Sequence, residues 1–194
     1  MHEGIELTTG VFGLYSQKIL ATRNVSNANR TDLYVFNACG DFLWSHRGSS
    51  YWVPRVVLFE DRVLIQEGPP NDRMARIYSA TGEHLLGPAP MAGSAWLAGA
   101  DGLIYAMECA DQNSEMTLVA YSPALDRLWS LDLEQPCYWA PPVLADDGKL
   151  YVLRGHNIDK EVSVTAIQTP SPGLANTSKP NDRCNNRRTR WLGR

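Results

Sequence analysis

Little in this sequence marks a site of chemistry. Its four histidines, His2, His46, His84 and His156, are scattered with no H-x-x-H or H-E-x-x-H spacing, which favours solvated loop residues over metal ligands. Its four cysteines, Cys39, Cys109, Cys137 and Cys184, include no C-x-x-C pair. A zinc site or a thioredoxin-like motif is therefore not indicated, and the cysteines are too few for a disulfide scaffold. A P-loop, a Rossmann fingerprint and a G-x-S-x-G elbow are also missing. No window reaches the roughly 18 apolar residues that a membrane-spanning helix requires. The opening MHEGIELTTG has neither a basic n-region nor an apolar h-region, so no export signal is expected in this chain. Helical patterning is scarce as well, because Gly, Pro, Asn and Asp interrupt nearly every window that could hold a 3.6-residue apolar period.

What is present describes a globular chain. Of 194 residues, 44% are hydrophobic and 20% charged, enough apolar material for a sizeable core. The formal net charge of −3 is unevenly spread. Lys179, Arg183, Arg187, Arg188, Arg190 and Arg194 crowd the last residues against Asp182 alone. Such a tail docks on its own acidic body or stays solvated, or else it meets an acidic partner. It carries no nucleic-acid motif and no interleaved aromatics, so no nucleic acid is expected.

The strongest signal is repetition. Tyr51 to Ile65 reads YWVPRVVLFEDRVLI, and 87 residues later Tyr138 to Val152 reads YWAPPVLADDGKLYV. Between them, SAWLAGADGLIYAM (Ser94 to Met107) is a shortened copy. A second element, YVFNACGDFLW (Tyr34 to Trp44), returns as RIYSATGEHLL (Arg76 to Leu86), VAYSPALDRLW (Val119 to Trp129) and, loosely, TAIQTPSPGLA (Thr165 to Ala175). Its anchors Phe36, Tyr78, Tyr121 and Ile167 recur at intervals of 42, 43 and 46 residues. Apolar runs around Ile19, Val63, Ile104 and Leu150 recur at 44, 41 and 46. Three of these runs follow turn pairs, Glu60-Asp61, Asp101-Gly102 and Asp147-Gly148.

Each unit reads as strand, turn, strand, polar loop, strand, turn, strand. Runs such as Leu103 to Met107 are apolar on both faces, as expected of a strand covered on both sides. Four-stranded antiparallel units at this period predict an all-β fold, a β-propeller. An immunoglobulin-like sandwich is the alternative, but it would not give so regular an echo.

The unit resembles the PQQ-like, quinoprotein-type β-propeller repeat. The likeness is carried by DDGKLYV (Asp146 to Val152), ADGLIYA (Ala100 to Ala106), VFNACGDFLW (Val35 to Trp44) and AYSPALDRLW (Ala120 to Trp129). It implies about four blades, near residues 5–46, 47–88, 89–132 and 133–175, as a four-bladed ring or a partial propeller. A basic, flexible tail follows at 176–194. By this resemblance, which extends to the wider WD40/YVTN-like repeats, Trp44 and Trp129 pack between blades, and Leu86 replaces the tryptophan in the second copy. The closing segment Ser171 to Arg194 is also similar to the ends of exported bacterial propellers, with departures at Lys179, Asp182, Asn185 and Arg190. A bacterial, periplasmic or cell-surface location is thus implied by the resemblance, while the lack of an export signal in this chain leaves the cytoplasm open.

Enzymes of that class hold the quinone with a vicinal disulfide and a calcium ion. No Cys-Cys pair exists here, and Asp146-Asp147-Gly148 reads more simply as a hairpin turn. The expectation is therefore no enzyme, with no catalytic, metal or cofactor residues. What the propeller reading leaves is a loop-bearing face with Tyr51, Trp52, Glu108, Asp111, Tyr138, Trp139 and His156 as candidate partner contacts. The two Tyr-Trp pairs have a simpler reading as packing at the entry to each innermost strand. Cys109 and Cys137 fall on the same face of neighbouring blades, which predicts a Cys109–Cys137 disulfide in an exported protein.

Three functions stay open. The first is a non-catalytic propeller scaffold that binds a protein or surface glycan, or self-associates to complete the ring. The others are a degenerate quinoprotein or metal-dependent enzyme domain, and a truncated propeller remnant.

Overall fold

The computed structural model describes residues 9–15, 18–37, 39–49, 54–69, 72–109, 115–136, 142–155 and 162–173. The expected tail, 176–194, lies outside them. The described chain is all-β apart from one short 3₁₀ turn at Ser26–Ala28.

Four separate antiparallel sheets follow one another along the chain. The first contains β1 (Thr9–Tyr15), β2 (Lys18–Val25), β3 (Arg30–Asn37) and β4 (Phe42–His46). The second contains β5 (Arg55–Phe59), β6 (Arg62–Glu67), β7 (Met74–Ser79) and β8 (His84–Pro90). The third contains β9 (Ser94–Ala98), β10 (Ile104–Glu108), β11 (Glu115–Tyr121) and β12 (Arg127–Pro136). The fourth has three strands, β13 (Val143–Leu144), β14 (Lys149–Gly155) and β15 (Val162–Gln168). Within each sheet, strands lie side by side in chain order.

The turns explain why the sheets recur. Asn37 and Ser79 end a third strand and Ser122 directly follows one, and each side-chain oxygen accepts two backbone N–H bonds from the turn that follows. Asn37 Oδ1 takes Cys39 and Asp41 at 2.9 and 2.8 Å, Ser79 Oγ takes Thr81 and Glu83 at 3.3 and 3.0 Å, and Ser122 Oγ takes Ala124 and Asp126, both at 3.1 Å. Such side chains satisfy a tight turn's orphan donors and hold the outer hairpin at a set length.

Alternation along each strand then gives every sheet two apolar faces. One face of β10 sends Ile104 and Ala106 toward the second sheet, with Val57, Phe59, Leu64 and Ile77. Its other face sends Tyr105 and Met107 toward the fourth, with Leu144, Leu150 and Val152. Leu20, Leu33, Val35 and Trp44 of the first sheet meet Leu58, Val63 and Ile65 of the second. The core is therefore three successive seams between stacked sheets.

This arrangement corrects the expectation of a closed four-bladed PQQ-like propeller. The sheets share no hydrogen-bonded strand, and no ring closes among the described residues. Among the described residues, no further sheet packs on the outward side of the fourth, where Val164 is 58% and Leu153 40% exposed. The repeat encodes where strands begin and which sides are apolar. Closure depends on the angle between successive sheets, which no local periodicity specifies. The functions built on that premise fall with it: the propeller scaffold reading a ligand through one loop face, the degenerate quinoprotein and the truncated propeller. The WD40-like and quinoprotein-like descriptions fall too.

Candidate functional site

The described polar side chains concentrate at the ends of the two interior seams that flank the second sheet. Between the first and second sheets, Glu67 ends β6 with its carboxylate only 2% exposed. Arg76 of β7 donates to Glu67 Oε2 at 2.7 Å. His46 Nε2 lies 3.1 Å from the same oxygen, and its Nδ1 is 2.9 Å from the Tyr78 hydroxyl. Ser49 gives its backbone N–H to Oε1 at 3.0 Å and its hydroxyl to Oε2 at 3.2 Å. Burial works against the Glu67 charge, but the His46 contact, the Ser49 N–H and Arg76 outweigh it, so its pKa falls below the ordinary carboxyl value of 4.5. The same burial raises the Tyr78 hydroxyl.

This cluster fastens one sheet to the next. His46 closes β4, and Ser49 begins the chain's passage to β5, with Gly48 donating to Asp32 Oδ1 at 3.0 Å. Trp44 stacks on Tyr78 at 5.6 Å between ring centres, and its Nε1–H reaches the Ala80 carbonyl at 3.2 Å. A Cβ on Gly82 would lie 2.5 Å from the Trp44 ring, so only glycine lets the second sheet's outer turn close over that indole.

The seam between the second and third sheets is cationic. Arg55, Gln66 and Arg73 lie on the side of the second sheet that faces the third: Arg55 is the register partner of Gln66, and Arg73 precedes β7. Arg73 Nη1 donates to Gln66 Oε1 at 3.4 Å, to the Gly93 carbonyl at 3.2 Å and to the Ser94 hydroxyl. Its Nε is buried with no acceptor. Burial, and then the nearby Arg73 charge, push Arg55 down to about 10. Burial also lowers Arg73. No carboxylate pairs with Arg73 among the described residues.

At the opposite end of the first seam, a cleft of about 110 Å³ has Leu20, Val35, Leu58 and Val63 as its floor and Lys18, Asp61 and Arg62 at its mouth. Among the described residues, no group of three or more His, Cys, Asp or Glu side chains is placed to hold a metal.

Of the residues singled out from sequence, Tyr51, Trp52, Asp111, Tyr138, Trp139 and His156 lie outside the described residues. Glu108 ends β10, accepting from the Tyr121 hydroxyl at 3.0 Å and lying 3.4 Å from Arg127. Trp129 meets Tyr105 edge-on at 6.0 Å. Cys109 is disulfide-bonded, and its expected partner, Cys137, lies outside the described residues. Sequence reasoning missed Glu67, Arg55 and Arg73. The available signal was a charged residue directly abutting a buried apolar run, as in VLIQE (Val63 to Glu67).

No family model and no curated protein matches this chain. The likeness to the PQQ-like repeat therefore identifies no family, and the function must be argued from the chain's own geometry.

The geometry that distinguishes the ends from the middle is exposure at equivalent positions. Leu33, Ala75 and Leu118 are each 0% exposed, beneath the next sheet. Val164 holds the same place in the fourth sheet, paired with Leu153 as Leu118 is with Met107. Val35, Ile77 and Ala120 are likewise buried, whereas the corresponding Ala166 is exposed. At the other end of the stack, Ile19 and Phe36 occupy the positions of Ile104 and Tyr121, which are 0% and 4% exposed, yet both are only partly covered.

Proposed function

We propose that this chain is a self-associating structural protein whose copies stack end to end. The outer face of one copy's fourth sheet, with Tyr151, Leu153, Val164 and Ala166, covers the outer face of the first sheet of a second copy. The observation that carries this reading is the equivalence just described: the two end faces are the two halves of a seam that the chain builds three times internally. Such a contact is heterologous, so it propagates or closes only through further copies. Covering what remains exposed of Leu153 and Val164, 40% and 58%, contributes about 1 kcal/mol each.

The test is native mass by light scattering across a concentration series. A mass rising above one chain, and returning to one chain in Val164→Asp and Leu153→Asp, is the expected result. A wild-type mass of one chain throughout, or an unchanged assembly in both variants, would overturn the proposal.

A further inference from the structure

The fourth sheet differs from the other three at its outer edge. In the first three, a hairpin follows the third strand, and β4, β8 or β12 pairs with it. Among the described residues, β15 pairs with β14 alone. The chain after β15 does not turn back along it. Thr169 Oγ1 donates to the Gly148 carbonyl at 2.7 Å, and the Gly173 carbonyl accepts the Ala100 N–H at 2.7 Å. The stretch that builds a hairpin elsewhere is here tied to the β9–β10 turn of the third sheet. The edge is also unguarded. β8 carries Pro88 and Pro90 and β12 carries Arg127 and Asp132, whereas β15 reads VSVTAIQ, with no charge and no proline. Charges and prolines are what keep an edge strand from pairing with another chain.

The third sheet shows what such a strand looks like when it is present. Tyr105, Ala120 and Trp129 are register partners across β10, β11 and β12, and the Trp129 ring meets Tyr105 edge-on at 6.0 Å. Tyr151 and Ala166 repeat the first two members of that row on β14 and β15. Among the described residues nothing takes the third place, and Ala166 is exposed. We propose that the outer edge of β15 binds an extended peptide of another protein as a fourth, antiparallel strand, with a tryptophan of that peptide opposite Ala166 and against Tyr151. The main chain supplies the hydrogen-bond ladder, and the slot beside Tyr151 and Ala166 selects the aromatic residue. The described strands of this form, β4, β8 and β12, are already paired within their own sheets, so they do not compete for the edge. Such pairing engages the edge of one sheet and needs no second copy of the chain.

The probe is a fluorescein-labelled peptide with the sequence of β12, DRLWSLDLE (Asp126 to Glu134), read by anisotropy against the full chain at high dilution. Saturable binding is expected. Replacing the peptide's tryptophan by alanine weakens it about ten-fold or more. Methylating the backbone nitrogen of that tryptophan in one peptide, and of the following serine in another, abolishes binding in one and spares it in the other, because neighbouring N–H groups of a strand point to opposite sides. Ala166→Lys, at an exposed position, obstructs the slot and weakens binding as the alanine peptide does. No saturable binding, equal binding of the tryptophan and alanine peptides, or indifference to both methylations would overturn the proposal. Binding that appears only in Trp191→Ala, and not in the wild type, would assign the slot to Trp191 of the same chain and overturn a partner from another protein.

Discussion

The third and fourth sheets make nearly the same surface and meet different fates. Tyr105, Met107, Leu118 and Ala120 are at most 5% exposed beneath the fourth sheet. Tyr151, Leu153, Val164 and Ala166 occupy the same register positions, yet Leu153, Val164 and Ala166 are exposed and Tyr151 is only partly buried. The difference teaches that apolar character on a strand face records what the repeat was built to pack against. Whether a face is buried depends on whether a neighbour exists.

Equal substitutions at equivalent positions would break that comparison most sharply. Leu118→Asp places an unpaired carboxylate under a sheet and is expected to destabilise by about 4 kcal/mol or more, read by denaturant unfolding. Val164→Asp should leave the unfolding midpoint of a single chain nearly unchanged. A comparable loss in both would mean that the fourth sheet's outer face is covered after all.

The seam between the first and second sheets adds an electrostatic contrast, because the end face carries no buried carboxylate. Glu67→Ala removes the counter-charge of Arg76 and leaves that cation partly buried, an expected loss of about 3 kcal/mol. The acid side follows from the direction of the shift. A carboxyl depressed in the fold adds stability above its unfolded value and loses it as pH falls through the folded one. Wild-type stability should therefore decline below the ordinary value of 4.5, and Glu67→Gln should show a flatter profile over the same window. Equal slopes in the two proteins would remove Glu67 as the acid-sensitive group.

A milder probe is Trp44→Phe. It keeps an aromatic ring against Tyr78 but deletes the Nε1–H bond to Ala80. A loss of about 1 kcal/mol is expected, seen as a small shift in the denaturation midpoint. Leu153→Ala should cost less than that in a single chain, and only assembly should register it.

Much of the strand pattern was legible in the residues. The apolar run Leu103 to Met107 was read as a strand covered on both sides, and β10 runs Ile104–Glu108. Turn residues and apolar runs are local signals, so they mark where a strand lies. The relation between sheets was not legible, because it is set by side-chain packing across seams. The same reason hid the charged seams. Glu67 and Arg76 are nine residues apart and adjacent to apolar runs, and only the β6–β7 register brings them onto one edge with His46.

The strict chain order of the sheets has a kinetic consequence. Every strand pairs only with strands next to it in sequence, so each sheet closes short loops and can form before its neighbours. Such a molecule behaves as a short one-dimensional array, with stability the sum of unit and nearest-neighbour terms. The fourth sheet has one neighbour where the second and third have two. Its amides should therefore exchange with solvent sooner than those of β6 and β10, through opening that peels from the end and leaves the middle of the stack intact.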